Sequence, residues 1–181
     1  FIFAVHIPIA GLALLPLMFG LPILLAPVHV AFLEMVIDPV SSLVFEAEGE
    51  EKNVMHRPPR DPSASLFSSD LMLWGLLQGL GALAIVIVVF WLAVSRAMPE
   101  TELRAICFFA LVLGVLALVM VNRSFSASLR AAFAQPSLAL LAVLGFVTAV
   151  LAASLSLDSI RDIFRFGPLH KDDLIIVALS G

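Results

Sequence analysis

The stretch LGALAIVIVVFWLAV, residues 80–94, decides the fold class. It carries no charge, and polar and apolar positions do not alternate. A membrane-spanning barrel strand would alternate over about ten residues, so this run reads as a helix. An apolar helix of about 20 residues crosses a hydrocarbon core of about 30 Å. In that core the backbone must satisfy its own hydrogen bonds, which a helix does within the segment.

Similar apolar runs occupy 1–19, 23–45, 71–94, 104–121 and 136–155, and a further run begins at 174. The expected fold is therefore an all-α membrane protein, a bundle of about five to six transmembrane helices. Composition agrees: 61% of the 181 residues are hydrophobic and 13% are charged, against about 25% charged in soluble domains. The mean hydropathy is +1.10. No basic patch suggests nucleic acid as a partner. Cys107 is the single cysteine, which excludes an internal disulfide or a cysteine metal site. The whole chain, 1–181, reads as one transmembrane domain within a longer polypeptide, since it starts and stops inside apolar runs. The segment 46–70 reads as a polar loop between membrane helices, with an acidic start and a proline-rich middle.

The second apolar run holds Glu34, Asp38 and Pro39. The two acids are four residues apart, so they share one face of a helix. Unpartnered in an apolar run, they would repel each other and lose hydration. A bound cation removes both penalties. Pro39 has no N–H, so the Met35 carbonyl loses its helical donor. The helix is expected to unwind near Asp38–Pro39, leaving that carbonyl beside two carboxylates. Hard cations prefer such oxygen-rich cavities, and broken helices recur at intramembrane ion sites. The alternative is structural: Glu34 and Asp38 pair with His29, His6 or Gln78 to hold helices together.

Pro8 in the first run frees the Ala4 carbonyl in the same way, with His6 close by. His6 reads as a ligand, a proton-linked group or a neutral hydrogen-bonding residue; imidazole suits Ca²⁺ and Mg²⁺ poorly, which favours a structural role over a ligand role. His29 lies nearer the short turn at 19–22 and is expected at the interface. Gly75 and Gly79 have small-xxx-small spacing, which permits close helix approach. Gln78 is expected to bond across helices. Asn122 and Arg123 are expected to cap the fourth helix. The segment RPPR, Arg57, Pro58, Pro59 and Arg60, is rigid, extended and basic, a candidate docking surface for a soluble domain. Loop charges do not orient the bundle. The loops at 46–70 and 122–135 hold five Lys and Arg residues, and those at 95–104 and 156–173 hold five more.

The segments GLPILLAPVHVAFLEMVIDPVSSLVFEAE, 20–48, and VMHRPPRDP, 54–62, resemble helices five and six and the following loop of P-type cation pumps. The calcium pumps are the best-known members. HIPIAGL at 6–12 together with FLEMVIDPVSSLVFEAE at 32–48 is most similar to a bacterial branch. The later runs fit helices seven to ten by count and length. By position, Glu34 and Asp38 match an asparagine and an aspartate that bind cations in calcium pumps. Other ligands have no counterpart here: Ile37 stands at a threonine, Ile9 at a glutamate, His6 at an asparagine, and Leu116 near a further glutamate. The resemblance thus implies one cation site, or a different ion.

It further implies that this chain is the C-terminal membrane part of an ATP-driven cation pump. Cation-binding residues would be Glu34 and Asp38, helped by Met35, Ala4 and His6. Oxygen ligands favour Ca²⁺, Mg²⁺ or Mn²⁺ as the transported ion over soft metals, with a proton or an alkali ion as alternatives. ATP and Mg²⁺ would be held by phosphorylation, nucleotide and actuator domains elsewhere in the polypeptide, which would also supply helices one to four. No catalytic residue is expected here, since neither D-K-T-G-T nor a phosphate-cradling glycine loop is present. The loops at 46–70 and 122–135 would be cytoplasmic, and the membrane would be a bacterial inner membrane. The rival reading is a secondary cation transporter or channel driven by a gradient.

Overall fold

The computed structural model describes residues 1–46, 56, 69–123 and 137–180. Arg57, Pro58, Pro59 and Arg60 lie outside the described residues, as does most of the loop at 122–135. The described residues form seven α-helices and one π-helical turn: α1 (Ile2–Phe19), α2 (Pro27–Pro39) with the π turn (Val40–Val44), α3 (Ser69–Ser95), α4 (Glu100–Asn122), α5 (Leu138–Ser156), α6 (Asp158–Phe164) and α7 (Lys171–Ser180). Five segments are long and apolar enough to cross a membrane: α1, α2 with its π turn, α3, α4 and α5. The all-α bundle expected from the sequence is the observed fold. The short helix α6 had no periodic signal, because seven residues are too few to show one.

Local chemistry sets the helix ends. Gly20 stops α1 in the left-handed conformation, φ 64°, and the Gly20 and Leu21 N–H groups close on the Pro16 carbonyl. Pro27 opens α2 at its first position, where no N–H is needed. Glu100 and Glu102 occupy the first turn of α4, where acids complement the helix dipole. The Ser137 hydroxyl accepts from the Leu140 N–H at 3.2 Å and caps α5.

α4 forms the axis of the bundle and is buried along most of its length. It packs against α3, α7 and α1, while α1 lies along α3. α2 and its π turn pack instead on α5 and α6. The α1–α3 seam is tight where glycines meet the facing helix. A Cβ on Gly79 would lie 2.7 Å from the Ala4 carbonyl oxygen, and one on Gly11 would lie 2.6 Å from Leu83. Gly75 has more room, with Phe3 3.9 Å away. Gln78 accepts from Asn122 Nδ2 across the α3–α4 seam at 3.0 Å, as expected. Asn122 also donates to the Leu118 carbonyl, and Arg123 is the C-cap. Trp74, Trp91, Leu17, Met18 and Phe19 are exposed on the outside of the bundle. Hydrocarbon solvates such side chains as well as a core does.

The turn at 20–26 and the connections at 96–99 and 157–170 gather at one end. Arg104 donates to the Ile23 carbonyl at 3.1 Å and to the Arg165 carbonyl at 3.2 Å, and the Gly167 N–H donates to the Thr101 carbonyl at 2.9 Å. Arg96 lies 3.7 Å from the buried carboxylate of Asp173.

The unwinding expected near Asp38–Pro39 is corrected to a milder change. Pro39 keeps helical angles, φ −63° and ψ −33°, and the chain widens into the π turn. Proline can sit in a helix if the following turn absorbs the lost hydrogen bond. Here the Val40 N–H bonds to the Val36 and Ile37 carbonyls, and the next turn is wider.

Candidate functional site

The polar face of α2 carries Glu34 and Asp38. Phe32, Leu33, Val36 and Ile37 point into the bundle. Glu34 is half-buried, while Asp38, Met35 and Ser42 are exposed on the opposite side. The periodicity explains the division: 32, 33, 36 and 37 make one helical face, and 31, 34, 35, 38 and 42 make the other. The structure therefore brings Glu34 and Asp38 onto one face, one turn apart.

His6 of α1 approaches the same face. Its Nε2 lies 3.8 Å from Glu34 Oε1, too long for a direct hydrogen bond. Its Nδ1 is 2.8 Å from the Ile2 carbonyl, to which it donates. Nε2 is thus the ring nitrogen that faces the carboxylate. The Asp38 side chain has no partner among the described residues. Its backbone carbonyl accepts from Ser42 Oγ at 2.8 Å, across the π turn.

The carbonyls freed by Pro8 and Pro39 behave differently. Met35 lies on the exposed face beside the acids. Ala4 is fully buried, and its oxygen is turned against Gly79 of α3. Ala4 is thus part of the α1–α3 seam. Among the described residues no three His, Cys, Asp or Glu side chains converge. Glu34, Asp38 and His6 make an open face rather than an enclosed cage.

His29, expected at the interface, is instead fully buried. Its Nδ1 accepts from the Ala26 N–H at 2.8 Å, and its Nε2 donates to the Phe164 carbonyl at 2.9 Å. Phe108, Phe164 and Phe166 surround the ring, with centroids 4.9, 5.6 and 5.2 Å away. The correction has a physical reason. The C-terminal end of α6 packs on α2 and offers the Phe164 carbonyl, so imidazole is satisfied without water. Of the residues weighed as structural partners for the acids, His29 and Gln78 are engaged elsewhere. Only His6 stands near one of them.

No curated protein matches the chain. The family model described as "Cation transporting ATPase, C-terminus" matches residues 22–181, from the turn before α2 through the end of α7. This chain, with its five apolar helices long enough to span a bilayer and an acid-bearing second helix, belongs to that family and forms membrane-embedded structure of a cation-transporting ATPase.

Proposed function

We propose that the exposed face of α2 is the cation-binding part of the pump, with Glu34 and Asp38 as ligands. The observation that carries this reading is the pair itself. Two carboxylates share one face of a largely apolar spanning helix, close before the π turn that follows Pro39. Ionisable groups in spanning segments mark ion pathways, and π turns are frequent at functional sites. Met35 adds its carbonyl, and His6 supports Glu34 from α1. Other helices of the polypeptide cover this face and complete the ligand set.

Oxygen donors favour Ca²⁺, Mg²⁺ or Mn²⁺ as the transported ion. ATP and its Mg²⁺ are bound by phosphorylation, nucleotide and actuator domains outside this chain. The segment Arg57–Pro58–Pro59–Arg60 docks against them on the cytoplasmic side of a bacterial inner membrane. Family membership favours this ATP-driven reading over a gradient-driven transporter or channel.

The test is cation-stimulated phosphorylation of the full-length polypeptide, titrated ion by ion. Glu34→Gln and Asp38→Asn should each abolish or strongly weaken the stimulation. Full stimulation in both variants would sink the assignment.

A further inference from the structure

The polar groups of α2 divide into an open acidic face and a closed anchor at the N-terminal turn. That anchor, His29, touches neither Glu34 nor Asp38 among its hydrogen bonds. Ala26, the N-cap, has no side chain able to cap, and Pro27 has no N–H. His29 therefore provides the side-chain hydrogen bond that holds the first turn, through Ala26 N–H to Nδ1. An unprotonated Nδ1 leaves the proton on Nε2, which reaches across 135 positions of sequence to the Phe164 carbonyl. The receiving segment is itself fixed to α4. Arg104 binds the Arg165 carbonyl, and the Gly167 N–H binds the Thr101 carbonyl. A Cβ at Gly167 would meet Thr101 and Glu102 within 2.8 Å, so that contact is close.

α2 is thereby referenced to α4, the most buried helix, through one imidazole. His6 belongs to α1, which packs mainly on α3 and also touches α4. The 3.8 Å separation of His6 and Glu34 is consequently set between two helices held by different contacts. Glu34 is five residues beyond His29 and Asp38 nine, about 7.5 and 13.5 Å along the axis at the helical rise. A slide or rotation at the His29 end carries both carboxylates with it.

We propose that His29 is a positioning residue for the acidic face of α2, acting through its bond to the Phe164 carbonyl. The proposal rests on the reading that Glu34 and Asp38 bind the cation. Groups that orient ligands from behind commonly change affinity by about 10–100-fold when removed.

Two variants separate the two ends of the ring. Asparagine reaches as far as Nδ1 and can keep the Ala26 bond. Glutamine reaches as far as Nε2 and can keep the Phe164 bond. The experiment uses the full-length polypeptide in membrane vesicles, with phosphorylation from Mg²⁺-ATP titrated by Ca²⁺ and by Mn²⁺. Hydrogen exchange of 27–39 and of 2–19 is measured on the same samples. His29→Asn should raise the half-maximal cation concentration roughly tenfold, leave the maximal level within about twofold, and speed exchange in 27–39 only. His29→Gln should restore wild-type half-saturation within about threefold. An unchanged half-saturation in His29→Asn, or equal shifts in both variants, overturns the proposal. Asp38→Asn is the control. If it titrates like wild type, the cation-site reading is wrong and the proposal falls with it, and the exchange data show whether the anchor itself was real.

Discussion

Helices α1 and α2 each contain a histidine, and each contains a proline, Pro8 and Pro39, close to an ionisable residue; the fold uses them in opposite ways. Pro8 frees the Ala4 carbonyl, which is buried against Gly79 of α3. Pro39 leaves the Met35 carbonyl without its helical donor, and Met35 is exposed on the face that carries Glu34 and Asp38. His6 sits on that open face with one ring nitrogen turned to Glu34. His29 is sealed among phenylalanines with both ring nitrogens bonded. The comparison teaches that a proline or a histidine in an apolar helix does not by itself indicate function. What matters is whether the neighbouring helices use up its polar groups.

The sharpest way to break the comparison is at the open face. Asp38→Asn removes a proposed ligand and should lower apparent cation affinity by more than the roughly tenfold lost with a group that only orients a ligand. It should change unfolding stability by less than about 0.5 kcal/mol, because the side chain is exposed and has no partner among the described residues. Cation titration and denaturant unfolding in detergent would check the two halves separately. A large stability loss would move Asp38 to the closed class.

The closed class should respond in the reverse sense. His29→Ala leaves the Ala26 N–H and the Phe164 carbonyl unpaired in a buried site, which should cost about 2–4 kcal/mol. Loss of thermal stability and of membrane abundance would report it. His6→Ala on the open face should show neither.

Gly79→Ala tests the seam that closes the Ala4 carbonyl. The added Cβ would fall 2.7 Å from that oxygen and 2.7 Å from Ile7 Cδ1. Overpacking of this sort costs about 1–3 kcal/mol. Gly81→Ala, with nothing within 4 Å, serves as the control on the same helix and should be neutral or stabilising by up to about 1 kcal/mol. Equal effects of the two changes would mean that α1 and α3 do not approach at Gly79.

The smallest effect is expected at the α3–α4 bond. Asn122→Leu removes the hydrogen bond to Gln78 and should cost about 0.6 kcal/mol, the average for such bonds between membrane helices. A double-mutant cycle with Gln78→Leu would isolate the pair.

Much of this was legible in residue order. Five long apolar runs read as spanning helices, because hydrocarbon allows only helices or closed barrels and these runs do not alternate. Glu34 and Asp38 share a face because helical periodicity fixes it. The family resemblance carried by residues 20–48 agrees with the match over 22–181.

The tertiary structure decided the rest. Residues 29 and 164 meet only after the chain has crossed the bundle several times, so His29 carried no local sign of its carbonyl partner. Pro39 predicts a missing hydrogen bond, but whether the helix unwinds or widens depends on how α5 packs against the π turn. Ala4 and Met35 look alike in sequence, each four residues before a proline. Their fates differ because a glycine of α3 closes on one carbonyl while the other stays on an open face. Periodicity determines which residues share a side of a helix. Only the packing of helices distant in sequence determines which polar groups on that side remain free to bind an ion.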